Sequence, residues 1–479
     1  MLLVSDDPAQ VIFHVERILP ATLNLKHRAL LTMVYGGLSI MPLDLRLSCL
    51  GHRYIFAPLR LNSARSAKKV IAIMNKHDVS ILRNLANQYM SICSDPVQGE
   101  RRLLWRQHNS LKKTRPLIYV RAFAWQEMPQ SQCQCEDDFF RQYEDFFLRH
   151  LFWNTINDDS VFEPWVTVQA TYRCEGWGPS VNRNFSDEAR GSFKVDYPIK
   201  KLEDIEKLRM PWHEIDEAQT AERVRRLSDA IGDIIPVNLD RGPAYRMGTA
   251  DLSTDLGYLR GIENFMLDMA DNPEWLHRLV KFMADGVLKT HQEAESAGDW
   301  GRCAHQNQAM PYAEELPDPA ANVNGVTRSQ LWGYMAAQEF TAVSPAMHNE
   351  FLLRYQLPVL KEFGLVAYGC CEDLTHKIDM LRQIPNLRRI AVSPFSDVAK
   401  CAEQIGQDYV LSYRPSPADM VSYGFEPERI RSILRRDLEA CKNCHVDITL
   451  KDVETVQADP DRVQKWVAVT RGVIAEVFG

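Results

Sequence analysis

The chain is short of three features that would place a protein quickly. It has no excess of positive charge: 56 Lys and Arg stand against 63 Asp and Glu, a net of −7, so nothing marks it for nucleic acid. It has no apolar run of membrane-spanning length, because the apolar stretch from Ala29 to Met41 is stopped by Pro42, Asp44 and Arg46. It has neither an internal repeat nor a low-complexity tract. It also shows no export signal, and its eleven cysteines are odd in number and spread through 479 residues. Reduced thiols and a cytoplasmic location are therefore expected.

The composition present is that of a globular protein, 45% hydrophobic and 25% charged. Charge is unevenly spread. Residues 1–73 carry nine Lys/Arg against four acids, a net of +5, which leaves −12 for the rest. Met74 is followed by Asp78, a helix-capping residue type, and by an amphipathic run from Ile81 to Cys93. Residues 1–73 are accordingly expected to be a basic appended arm or an over-called start. Residues 74–160 read as an N-terminal helical extension with the first strand.

Beyond about residue 117, short apolar strands alternate with amphipathic helices. The strand candidates are 117–123, 165–172, 234–239, 301–305, 365–370, 389–393, 409–413 and 445–450. The clearest helices are 261–269, 274–294, 346–363, 374–383 and 427–441. Alternation of this kind implies βαβ units and a parallel sheet. About eight strands favour an α/β fold of the (β/α)8 TIM barrel type, with residues 161–479 as the barrel.

In such a barrel the chemistry sits where strands end. The strand ends, with Cys444 at a strand start, supply Asp240, Arg241, His305, Tyr368, Cys370, Ser393, Arg414 and Cys444. Residues two apart on a strand share a face, so Tyr368 and Cys370 are expected to point the same way. Two thiols at a barrel mouth suit a zinc ion with one open position. Cys370 and Cys444 are the leading ligands, with His305 and Glu372 as candidates for the third place. Asp240 and Arg241, ahead of a Gly-Pro turn, are candidates for acid–base work or substrate orientation, with a loop-to-loop salt bridge as the plainer alternative. Cys441-Lys442-Asn443-Cys444 has the spacing of a redox pair but lies at a helix end, not a helix start, which is the wrong end of the dipole. Cys133-Gln134-Cys135 reads as an ordinary loop.

Two stretches carry a family resemblance. Pro236-Val237-Asn238-Leu239-Asp240-Arg241-Gly242-Pro243, followed by Asp271-Asn272-Pro273-Glu274 opening a long helix, resembles the uroporphyrinogen decarboxylase superfamily. The run from Ser344-Pro345-Ala346 to Tyr355-Gln356-Leu357-Pro358-Val359 resembles a helix before one of that family's later strands. The likeness spans roughly residues 200–479 and favours the corrinoid-linked zinc methyltransferase branch. That branch carries His-x-Cys at a strand end and a later Cys. Cys370 matches the first Cys, Cys444 the second, and Tyr368 stands in the His position. The resemblance implies Zn2+ as cofactor and methyl transfer between a corrinoid protein and a small methyl donor or acceptor: a methoxyl compound, a thiol or tetrahydrofolate. An Arg-rich N-terminal motif of the porphyrin decarboxylases is absent near Met74 and at Arg101-Arg102, so a metal-free decarboxylating lyase using Asp240 and Arg241 is the alternative.

Overall fold

The computed structural model describes residues 76–479, apart from Glu175 and 187–191, and only the backbone of a few short elements before residue 76. The chain divides into two units, Met1–Asp78 and Val79–Gly479. The first contains short antiparallel pairings such as Leu2–Val4 with Gln10–Phe13. The reading of residues 1–73 as an arm lies largely outside the described residues.

The second unit is a mixed α/β structure with parallel strands. From Val79 on, the C-terminal part of α1 (Ala64–Cys93) and α2 (Val97–Asn109) lead into β1 (Leu117–Val120), α3 (Asp138–Ile156) and β2 (Val166–Gln169). A hairpin, β3 (Asn182–Phe185) with β4 (Phe193–Asp196), precedes α4 (Glu217–Ile231) and β5 (Val237–Asp240). Then come α5 (Ser253–Arg260), α6 (Ile262–Asp271), α7 (Pro273–Ser296), β6 (Trp332–Met335) and the helical run α8 (345–360). The last part alternates regularly: β7 (Leu365–Tyr368), α9 (Ile378–Leu381), β8 (Leu387–Val392), α10 (Val398–Ile405), β9 (Val410–Tyr413), α11 (Pro427–Ala440), β10 (His445–Leu450) and α12 (Arg462–Phe478). Helix starts follow local chemistry. The Asp137 carboxylate accepts from the Phe139 and Phe140 N–H groups at 2.9 and 3.3 Å, and Pro273 opens α7 where no N–H is needed.

Six strands form one parallel sheet in the order β6-β7-β8-β9-β10-β1, and β2 pairs with β5 in parallel. The last strand thus pairs with the first, Leu450 opposite Val120. Among the described residues no ladder joins β1 to β2 or β5 to β6. Side chains satisfy the open edges of β1 and β5. The Asp159 carboxylate accepts from Ile118 N–H and that of Asp158 from Val120 N–H, each at 2.7 Å. Across the second gap, Asn322 binds the β5 backbone on both sides, and Gln306 N–H donates to Trp332 C=O at 3.1 Å.

The expected strand at 301–305 is therefore a correction. It makes only a single bridge, Gly301 to Asn324. On the β6 side it is held by the His305 ring and by one backbone bond from Gln306, contacts that an apolar pattern does not signal. The strand Trp332–Met335 was not expected, since four residues containing a glycine give little periodicity. Gly333 is there because a Cβ would lie 2.5 Å from the Phe363 ring.

The sheet is two-faced. Val446, Ile448 and Leu450 join the large apolar core, together with the helices. The intervening Asp447, Thr449 and Lys451 face the other way and are also buried. On that polar face Asp447 meets Arg389 at 2.8 Å and His108 at 3.1 Å, and accepts from Ser412 at 2.9 Å. Burial alone would raise the Asp447 carboxyl, but Arg389 and His108 bring it down to about 2.

Candidate active site at the strand ends

The strand ends β1, β7, β9 and β10 meet around Cys370. Gly369, at φ +98°, is the reason for its placement. A left-handed residue interrupts the two-residue alternation of a strand. Leu365 and Ala367 belong to one apolar cluster and Tyr368 to the other, and Cys370 returns to the cluster of Leu365 and Ala367. The expected shared face of Tyr368 and Cys370 is thus corrected. The Tyr368 hydroxyl donates to Gln356 at 2.7 Å and lies 3.0 Å from His348 Nε2, both on α8. Burial raises its pKa well above the usual phenol value.

Cys370 lies on the wall of a cavity of about 350 Å3, lined also by Arg121, Gln308, Cys371, Lys451 and Asp452. The Lys451 ammonium is 3.1 Å from the Cys370 sulfur and 3.0 Å from that of Cys371. The two sulfurs are 3.7 Å apart, and the Cys371 sulfur is 3.5 Å from the Asp452 carboxylate. The Arg414 guanidinium donates to the Cys370 carbonyl at 2.8 Å. These neighbours pull the Cys370 thiol well below its usual range. The Cys371 hydrogen bond contributes most, burial opposes it, and Arg414 and Lys451 add their charge. The proton of the pair stays on Cys371, whose own pKa is raised. Other cysteines go the opposite way: burial pushes Cys93, Cys303, Cys401 and Cys444 each up to about 11. The Cys370 pKa moves down where theirs move up, and Cys370 opens onto a cavity.

The other expected site residues do not converge on it. Cys444 directly precedes β10, and its sulfur donates to the Ala402 carbonyl at 3.5 Å. Cys370 follows the end of β7 in the same parallel sheet. Start and end of six-residue strands are separated by about 20 Å, so the two thiols lie at opposite edges. His305 Nδ1 accepts from Trp332 N–H at 3.2 Å, at the starting edge of β6, and burial pushes its pKa down to about 4. The Glu372 carboxylate is fully engaged by two backbone donors, Ala337 N–H at 2.7 Å and Cys370 N–H at 2.8 Å. It ties β6 to the β7 turn. Among the described residues no three His, Cys, Asp or Glu side chains are grouped to hold a metal. The expected zinc shell of Cys370, Cys444, His305 and Glu372 does not fit, because the four side chains do not converge.

Asp240 and Arg241 do stand at a strand end, but each is bound elsewhere. Asp240 pairs with Arg246 at 2.8 Å, and Arg241 spans Asp299 at 2.5 Å and Glu217 at 2.6 Å. The salt-bridge alternative describes them. The Cys441 thiol at the α11 end is also raised by burial, so the Cys441–Cys444 spacing carries no reactive pair. Cys133 and Cys135 lie in a loop whose Gln134 and Cys135 N–H groups are capped by Glu144.

Arg414 was legible as a strand end, while Lys451 was missed. A signal for it existed: His445, Asp447, Thr449 and Lys451 alternate with Val446, Ile448 and Leu450. A polar residue at every second place of a buried strand marks a second, functional face.

No family model matches the chain, and no curated protein matches it. Among solved structures, a methyltransferase from Methanosarcina mazei is similar, with a TM-score of 0.44 and 12% identity over 78% of this chain and 97% of that one. A likeness at that distance carries no argument about the site, which stands on its own geometry. No helix among the described residues is long and apolar enough to cross a membrane.

Proposed function

We propose that this chain is a methyltransferase whose methyl-carrying atom is the sulfur of Cys370. The observation that supports the reading is the Cys370–Lys451 pair, 3.1 Å apart, on the wall of an open cavity. A thiolate is a soft nucleophile suited to displacement at saturated carbon. The sulfur lone pair forms the S–CH3 bond. The bond from that methyl to the donor's oxygen, sulfur or nitrogen breaks. The leaving atom keeps the electron pair and takes a proton from the Lys451 ammonium. The methyl then passes to a second nucleophile, which frees the thiolate.

Donor and acceptor classes remain those the family resemblance implies: a methoxyl compound, a thiol or tetrahydrofolate on one side, a corrinoid protein on the other. A docked reduced corrinoid supplies a strongly nucleophilic cobalt. The cavity, about 350 Å3, is at the small end of small-molecule sites, so the corrinoid stays on its own carrier in this proposal. We also place the two sheets in one (β/α)8-type barrel, supported by the pairing of β10 with β1 and by the side chains that satisfy the open edges of β1 and β5. A cytoplasmic location, which keeps Cys370 reduced, belongs to the same proposal. The lyase alternative loses its free acid and base to the Asp240 and Arg241 ion pairs, and no observation favours it.

The test is single-turnover incubation with a panel of methoxylated and methylthio donors, wild type beside Cys370→Ser, with methylcobalamin standing in for the carrier in the reverse direction. An S-methyl adduct on the Cys370 peptide, and loss of transfer in Cys370→Ser, is the expected result. Full transfer by Cys370→Ser would overturn the proposal.

A further inference from the structure

The cavity holds more positive charge than the mechanism uses. Arg121 follows β1, and its N–H donates to the Leu450 carbonyl at 2.8 Å, which sets Arg121 beside Lys451 at neighbouring strand ends. Asp452, the acid on the cavity wall, is taken by Lys451 at 2.8 Å. Arg121 has no carboxylate partner among the described residues, and its side chain is exposed to the cavity. Beneath, Arg414 is only 3% exposed, and no carboxylate is within ion-pair reach of it among the described residues. One of its guanidinium nitrogens donates to the Cys370 carbonyl, while its Nε has no hydrogen-bond partner. Its charge acts on the Cys370 sulfur, whose pKa it lowers, and a concave, partly dehydrated site strengthens every charge in it.

Resting on the reading of Cys370 as the reactive thiolate, we propose that the cavity is an anion subsite: the substrate bears a carboxylate, bound between the Arg121 guanidinium and the Lys451 ammonium, beside the Cys370 sulfur. Arg414 holds the potential of the site positive from below. The substrate class is then a small carboxylic acid carrying its transferable methyl a short distance from the carboxylate. The Lys451 ammonium is already met by Cys370, Cys371 and Asp452, so the substrate carboxylate binds it by taking the place of the exposed Asp452. Arg121 presents a planar fork matched to two carboxylate oxygens.

The test needs no knowledge of the substrate. Iodoacetate and iodoacetamide have the same size and the same leaving group, and only the first bears a carboxylate. Each alkylates a thiolate by forming an S–CH2 bond and releasing iodide. Modification of Cys370 in the full chain is followed by peptide mass spectrometry, with glutathione as the free-thiol reference. The expected result is saturating modification by iodoacetate, with a preference over iodoacetamide about tenfold above that of glutathione, as one charge-assisted contact provides. Benzoate slows it, and Arg121→Gln removes the preference while melting as wild type does. Equal, unsaturable reaction with both reagents overturns the subsite and leaves the thiolate standing. Failure of both reagents to modify Cys370 overturns the subsite and the thiolate reading together.

Discussion

Lys451→Met removes the ammonium from the Cys370 sulfur while keeping most of the side-chain volume. In the folded protein that ammonium sits 3.1 Å from Cys370, and the lysine side chain is 6% exposed. A hydrogen bond to a charged group contributes about 1.5–3 kcal/mol. At ~1.4 kcal/mol per pKa unit, its loss moves the Cys370 thiol up by roughly one to two units. The bare Coulomb energy at this separation is larger, about 5 kcal/mol at an effective dielectric of 20, but desolvation of both ions offsets part of it. Cys371→Ala removes the largest contributor to the lowered value and is expected to move it in the same direction. The rate at one neutral pH is a poor readout, because a thiol that starts well below neutrality is still ionised after a one-unit rise. The assay is therefore the full pH profile of iodoacetamide modification of the Cys370 peptide. A wild-type inflection well below that of a free thiol, displaced upward in both variants, is expected. A wild-type inflection in the ordinary thiol range, or superimposable profiles for wild type and Lys451→Met, refutes the reasoning.

Four further outcomes follow from the same contacts. Asp447→Ala leaves Arg389 buried without its counter-ion and is expected to destabilise the fold by about 3–5 kcal/mol in denaturant melts. Gly369→Ala puts a Cβ 2.7 Å from Leu374 Cδ1 at a φ of +98°, so a loss of about 1–3 kcal/mol and slower Cys370 modification are expected. Burial, with Lys377 nearby, holds His348 neutral by lowering its pKa to about 3. Its contribution to stability is thus complete above the unfolded histidine value and fades as pH falls toward the folded one, by ~1.4 kcal/mol per pH unit. His348→Gln, with an amide to meet the Tyr368 hydroxyl, is expected to flatten the acid side of a stability–pH curve by one proton. Cys444→Ser is expected to leave Cys370 modification and methyl transfer at wild-type levels. Parallel loss in Cys370→Ser and Cys444→Ser would bring the two thiols back together.

Much of the architecture was readable from pattern. Seven of the eight expected strand regions and the long amphipathic helices are present, because a buried parallel strand must be apolar and short and a covering helix must repeat near 3.6. Local chemistry was legible as well: Pro273 at a helix start, Asp240 at a strand end and Arg414 just beyond one, while Asp78, expected to cap a helix, lies inside α1. The site was legible in Cys370 and Arg414, and misread in the rest of its company. Strand direction decides which end of β10 faces the cavity, and that put Lys451 there and Cys444 at the far edge. One left-handed glycine then separated Tyr368 from Cys370. Glu372, a ligand candidate by position, is engaged by two backbone N–H groups that only folding brings to it. Sequence by itself determined which segments become strands and helices, since that depends on neighbours along the chain. Only tertiary structure decided which thiol ionises, since a pKa answers to charges and burial that come from residues far apart in the chain.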